Sequence, residues 1–496
     1  MKHHTFGLIK KIKNIISSPD LAFIYLTALY LVTVVFVSER KVFFAVSFVF
    51  VCGLYYIFRN WKTTLLFGFM ILRVLPVGQT YKFLMTGPQD NPALFYAGRY
   101  QEGRSAFLVL SPAYTIGCAL IILSAYLMVK MYVMRRLIPI EFLLLLVVVC
   151  LKFVSSLFAQ AVPVYSFFHV LEVVMVSAWG IVLFEAAWTG SKIMNRVMYS
   201  TGILSLFEFI LVVFQWIRQK PIGLLIEQTR SGMAQEPSTD FFRVFGSFAH
   251  PNLFASELVS IVFLGLLFYF VLKRNFFLIG AIAALVCLIL TQSRAALLGL
   301  GVGLVPLIGF LLWRYKHEIS NVLRKKISVF WSILIVAVMI LVTTVFSTRV
   351  INTFVYSTGE GGGFDVRREL TEEALELIKA NPIIGVGYDA FIPVASLLNV
   401  TGVMGWFPET VHNAYLQIAS ESGILAAFMV VLLIGVLVRR VMISVVSKEI
   451  KYSAFGFIVA QAIFMIYHPI DSVTTIWTVI VIWLLHKKLL GYKKHE

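Results

Sequence analysis

Acidic residues are scarce in this chain, and cysteines are confined to its apolar runs. Only 25 Asp and Glu stand against 42 Lys and Arg, and charged residues of both signs make up 14% of the whole. No stretch is polar enough to fold as a separate soluble domain, although a length of 496 residues would accommodate about three. Cys52, Cys118, Cys150 and Cys287 all lie in apolar segments, so neither a disulfide framework nor a thiolate metal site is implied. Gly359-Glu-Gly-Gly-Gly363 lacks the Lys-Ser/Thr of a phosphate-cradling loop and reads as a connector. No internal repeat is detectable by eye.

What the chain has in abundance is hydrocarbon. Hydrophobic residues reach 59%, the mean hydropathy is +0.89, and apolar runs of about twenty residues recur from end to end. This pattern predicts an all-α polytopic membrane protein of about 12–14 transmembrane helices, the first near 21–38 and the last near 471–486. The first run follows Lys2, Lys10, Lys11 and Lys13 and reads as a retained signal anchor. Placing those lysines in the cytoplasm and alternating sides puts the basic segments Lys130–Arg136, Arg314–Lys326 and Arg439–Lys451 inside. Lys487, Lys488, Lys493 and Lys494 join them, so both termini are expected to be cytoplasmic. The net charge of +17 is then accounted for by this bias and by anionic lipid head groups. No basic soluble module for nucleic acid exists.

The same alternation leaves three long segments outside, near 78–105, 218–252 and 347–412, and chemistry is expected there. The first, with Lys82, Arg99 and Arg104 among aromatics, reads as an interfacial anchor or a lid. The second ends on Arg243 and His250-Pro251-Asn252, with Asn252 the expected helix cap. In the third, Asp365 is expected to cap a helix along the membrane surface through about Ala380, with Leu370, Ala374, Leu377 and Ile378 on one face. Arg367 and Arg368 would then occupy its first turn, where the macrodipole disfavours cations. Two guanidiniums beside free N–H groups suit a phosphate or pyrophosphate; the alternative is a solvated pair beside Asp365 and Glu369. Arg294, in a very short outer turn, either snorkels to head groups or binds an anion. His412 opens the next apolar run, placed as a water-reachable base would be, or as a satisfied interfacial histidine. Within the helices, Lys152 and Glu172 are expected to pair, and Glu257 to orient His250 or an arginine.

Taken together, Arg243, Gly246, His250-Pro251-Asn252, Ser293-Arg294-Ala-Ala296, Arg367-Arg368, Gly385-Val-Gly-Tyr-Asp389 and His412-Asn413-Ala-Tyr415 resemble the O-antigen ligase and polysaccharide polymerase superfamily. The likeness is best over 197–440, which marks a catalytic core between N-terminal helices (1–196) and C-terminal helices with a basic tail (441–496). The superfamily comprises bacterial inner-membrane glycosyltransferases of GT-C-like helical fold. The resemblance implies transfer of a glycan from a polyprenyl-pyrophosphate carrier to an acceptor hydroxyl at the outer face. It further implies His412 as general base and Arg294 and Arg368 as catalytic cations. Arg243, Arg367, His250, Asn413 and Tyr415 would bind substrate. No cofactor and no metal are expected, and the chain lacks any Asp-x-Asp pair, which argues against a metal-bound nucleotide sugar as donor. A single base and direct displacement would invert the anomeric carbon. Partners would be the lipid-linked donor, a glycan or lipid-linked acceptor, membrane lipids, a flippase and a chain-length regulator. The rival reading is a flippase or exporter of lipid-linked oligosaccharide, which needs no long outer loop ending on a histidine.

Overall fold

The computed structural model describes residues 19–37, 40–74, 82–84, 107–109, 112–133, 138–159, 163–189, 191–222, 224, 242–248, 250–314, 363–398, 410–444, 446–468 and 475–482. The expected span at 327–346, the Gly359–Gly362 connector, both basic termini and most of the first long loop lie outside these residues.

The protein is an all-α polytopic membrane protein, built from sixteen described helices. Numbered in chain order they are α1 (Pro19–Val35), α2 (Arg40–Phe58), α3 (Trp61–Val74), α4 (Pro112–Val133), α5 (Ile140–Leu157), α6 (Pro163–Thr189), α7 (Ser191–Arg218), α8 (Pro251–Leu272), α9 (Asn275–Thr291) and α10 (Arg294–Arg314). There follow α11 (Gly363–Ala380), α12 (Phe391–Leu398), α13 (Ala414–Ser422), α14 (Ile424–Ile443), α15 (Lys448–Tyr467) and α16 (475–482). A short antiparallel pair, β1 (Lys82–Leu84) and β2 (Phe107–Val109), sets Lys82 opposite Val109. Eight of the helices are long and apolar enough to cross a membrane, and α1, residues 42–58 of α2, and α9 are shorter apolar helices.

Lipid-type faces and packed faces separate by composition. Leu29, Phe36, Ile122, Tyr126, Val305, Leu312, Phe428 and Val431 are exposed, as hydrocarbon-facing side chains are, whereas α8 is buried nearly all round. Without water between helices, close association depends on shape. Gly299 and Gly303 of α10 meet Ala460 and Gly456 of α15 so closely that a Cβ on Gly299 would lie 2.8 Å from the Ala460 carbonyl oxygen. These small residues hold α10 and α15 backbone to backbone.

At one end of the bundle, buried carboxylates collect the basic residues: Lys62 pairs with Glu185, Arg440 with Glu141 at 3.4 Å, and Arg314 with Glu449. The opposite end carries a cap of short helices. Leu370, Ala374 and Leu377 of α11 bury against Phe391 and Ala395 of α12 and Val411. The expected apolar face of α11 therefore packs on α12 and Val411.

The run expected to be one helix over 413–437 is two, α13 and α14. Gly423 breaks it with φ 86, and the Ile424 N–H donates to the Pro382 carbonyl at 2.9 Å instead of continuing the helical ladder. A Cβ on Gly423 would overlap the Ile383 carbonyl oxygen. Apolarity alone cannot reveal this break, because α13 and α14 are both apolar enough to continue one another. Gly423→Ala is expected to cost at least about 1–3 kcal/mol, from the positive φ and the steric overlap together, and to lower the thermal midpoint of the purified protein in detergent. A midpoint equal to wild type would show that the break is not required.

Candidate active site

Arg243 reaches the site through a segment that enters the bundle before α8. Phe242, Val244, Phe245 and Phe248 are buried, and Arg243 is 7% exposed. Gln215 of α7 clamps the turn: its Oε1 accepts from the N–H of Phe245 (3.1 Å) and Gly246 (2.9 Å), and its Nε2 donates to the Gly246 carbonyl (2.8 Å). About two turns deeper, Glu208 accepts from the Ser247 N–H at 3.0 Å and from the Ser247 hydroxyl. Gly246 has φ 56, and a Cβ there would strike the Glu208 carboxylate and approach the Phe254 ring to 2.7 Å. Only glycine fits. With its backbone so fixed, Arg243 donates through Nε to the Thr291 carbonyl at the end of α9 (3.1 Å) and through Nη2 to Asn252 Oδ1 (2.8 Å).

Asn252 is thus an arginine partner and not the helix cap. His250 caps α8, its Nδ1 accepting from the Asn252 N–H at 3.1 Å. The reason is Pro251, which lacks an N–H and drives the preceding residue to extended backbone, here φ -146 and ψ 138. From that conformation the imidazole reaches the first N–H the helix has to offer.

His412 sits at a seam. Val411 is buried in the apolar cluster of α11 and α12, while Ala414 is buried in a second cluster with Val148, Ile418, Ala426, Val430 and Met465. Asn413 caps α13, its Oδ1 accepting from the N–H of Tyr415 (3.0 Å) and Leu416 (3.1 Å). The Tyr415 hydroxyl donates to the Ala462 carbonyl of α15 at 3.1 Å. These polar atoms are occupied in fixing the turn that presents His412. His412 itself is half-buried and meets the ring of His468 edge to face, with centroids 5.3 Å apart and planes at 84°.

His468 has no counterpart among the residues singled out from the sequence, where it reads as the end of an apolar run. It is the C-cap of α15, 6% exposed, with its ring stacked on Phe464 at 5.1 Å. Burial pushes its pKa well below the usual histidine range, and the charges of His412, His250, Arg367 and Arg243 push it further in the same direction. Those four side chains come from three separate stretches of sequence, Arg243 and His250 sharing one, and all of them act on one ring. A signal was available: His468-Pro469 repeats the dipeptide His250-Pro251, and proline disfavours helix at the residue before it.

The arginine pair divides. α11 begins at Gly363, so Asp365 lies inside the helix and Arg367 and Arg368 fall in its second turn, beyond the free N–H groups. Arg367 acts electrostatically on His468, whereas Arg368 pairs along the helix with Glu372 at 3.8 Å. Both are exposed. Arg294 is exposed as the first residue of α10, just after Thr291, whose carbonyl holds Arg243.

Residues 279–431 match the O-antigen ligase family. This match, over about a third of the chain, supports the O-antigen ligase superfamily. The matched stretch contains Arg294, Arg367, Arg368, His412, Asn413 and Tyr415, while Arg243, His250 and His468 flank it on either side. No curated protein matches the chain. The family match and the apolar helices together support a multi-pass membrane protein with O-antigen ligase-type glycosyl transfer.

The same ligase domain sends its Gly385-to-Asp389 loop into a second polar cluster. His169 Nδ1 lies 2.7 Å from Asp389 Oδ2, the Lys152 ammonium lies 4.6 Å from the centre of the Tyr388 ring, and the Ser166 hydroxyl donates to the Tyr388 carbonyl at 2.7 Å. Glu172 pairs with Arg73 rather than with Lys152, because Tyr388 and Asp389 come between α5 and α6 at that depth and draw Lys152 and His169 to themselves. Burial pushes the Glu421 carboxyl up to about 8, and Asp389 raises it further. Glu257 accepts from the Trp477 indole, so at least one of its oxygens serves the packing of α16 on α8. Among the described residues no group of His, Cys, Asp and Glu could hold a metal ion.

Proposed function

We propose that this protein transfers a glycan from a polyprenyl-pyrophosphate carrier to an acceptor hydroxyl at the outer face of the bacterial cytoplasmic membrane, in polysaccharide polymerisation or O-antigen ligation. One observation carries the reading: the His412 ring meets His468 edge to face at one end of the bundle, where the charges of His250, Arg243 and Arg367 also reach the His468 ring. Guanidiniums gathered at one end of the bundle suit a pyrophosphate, and a half-buried imidazole beside them suits a base.

In this reading the acceptor oxygen attacks the anomeric carbon as His412 takes its proton. The bond from that carbon to the pyrophosphate oxygen breaks, and its electron pair leaves with the pyrophosphate. Arg243 and Arg367, with Arg294 beside them, hold the leaving group and stabilise the charge that develops on it. Direct displacement inverts the anomeric carbon. Fixed guanidiniums do this without a metal. Arg368, paired with Glu372, contributes by its charge at the rim. The collection of Lys62, Arg314 and Arg440 at the far end of the bundle supports an outward-facing site, since basic connections favour the cytoplasm.

The test is a reconstitution. Purified protein in lipid nanodiscs, given a synthetic polyprenyl-pyrophosphate oligosaccharide and separate glycan and lipid-linked glycan acceptors, is expected to form an inverted glycosidic bond at a rate unchanged by EDTA. Translocation of the donor across vesicles, with no new glycosidic bond to any acceptor, would overturn the proposal in favour of a flippase.

A further inference from the structure

We propose that His468 is a positioning residue for His412: a ring built onto the end of α15 that fixes the orientation of the base. The inference rests on the reading of His412 as the base and adds to it a residue from outside the matched family region.

Every link that holds His468 in place is independent of substrate. Its backbone is extended, at φ -151 and ψ 150, as a residue before proline must be, and its N–H donates to the Phe464 carbonyl at 3.0 Å. Its ring is stacked on Phe464. The helix behind it is locked to α10 by Gly456 and Ala460. The two histidine-bearing elements are also tied directly, since Tyr415 beside His412 donates to Ala462 of α15. A hydrogen bond from the neighbouring Tyr415 hydroxyl to the α15 backbone and an edge-to-face ring contact together leave the His412 imidazole little freedom to tilt.

The electrostatics suit a wall rather than a second base. His412 meets His468 from the turn before α13, and the charges of His250 at the N-terminus of α8, Arg243 in the segment preceding it and Arg367 on α11 reach the same ring. Burial among those groups keeps the His468 ring neutral at neutral pH. When His412 takes a proton it becomes a cation, and a neutral aromatic ring accommodates it where another cation would oppose it. At 6% exposed, His468 offers almost no surface to substrate and acts through His412.

The experiment compares His468→Gln with His468→Phe in the full-length protein, measuring kcat, KM for the lipid-linked donor and direct binding of a fluorescent polyprenyl-pyrophosphate glycan. Gln removes the plane; Phe restores it without a titratable proton. Loss of orientation at the base is expected to lower kcat of His468→Gln by about 100-fold, with donor KM and binding within about threefold of wild type. His468→Phe is expected to recover most of kcat. Three results would overturn the inference: undiminished kcat in His468→Gln, loss of donor binding in step with kcat, or a His468→Phe variant as slow as Gln. The base reading fails separately, on an active His412→Ala.

Discussion

Replacing His412 with Ala is expected to leave a folded protein that binds its lipid-linked donor and transfers almost nothing. The fold should survive because His412 is held by its neighbours and not the reverse: Val411 is fully buried, Asn413 caps α13 with two hydrogen bonds, and Tyr415 anchors to Ala462. None of these contacts uses the His412 ring. The positive charges that suit the pyrophosphate, Arg243 and Arg367, lie on other elements and remain. What goes is the group that accepts the acceptor's proton, and removing a general base typically costs about 10²–10⁴ in rate. Initial rates with purified His412→Ala, alongside donor binding and the thermal midpoint, check this. Transfer at the wild-type rate would exclude His412 as the base.

Arg243 should show the second large effect, and of a different kind. It is buried, and it spans two elements, from the Thr291 carbonyl of α9 to Asn252 of α8. A lysine keeps the charge but cannot span both acceptors with a planar fork. Arg243→Lys is therefore expected to fold, to lose about 10²–10³ in kcat/KM as a misplaced electrostatic donor does, and to lower the thermal midpoint modestly. Arg243→Met should do worse on stability, because Asn252 Oδ1 and the Thr291 carbonyl each lose a donor beneath the surface. The split between the two variants is diagnostic. If Lys and Met are equally slow and equally stable, Arg243 acts by contact with substrate alone; if Lys is fully active, charge without geometry is enough.

The membrane class was legible in the apolar runs, because a helix in hydrocarbon must satisfy its own backbone and must be apolar for its full length, and both demands are local. Arg243, His250, Arg367 and His412 stood out for a related reason: a cation or imidazole at the end of a span departs from its surroundings. The polar cluster around Asp389 was less legible. Lys152 and Glu172 sit on adjacent helices and looked like a pair, but a loop that is distant in sequence enters between them.

By itself, then, the sequence determined that this is a helical membrane protein and that its basic residues gather in short connections, and it singled out most of the residues proposed to supply its chemistry. The tertiary structure decided the assignments that depend on where separate helices end relative to one another. It broke the run around Gly423 because the Pro382–Ile383 backbone occupies the space a continuous helix would need. It made His250 the cap and Asn252 the partner of Arg243, paired Arg368 with Glu372, and brought His468 to His412. Helical periodicity tells which residues share a face of one helix. It does not tell which helix ends meet, and the proposed site draws its residues from the N-terminal ends of α8, α11 and α13 and the C-terminal end of α15.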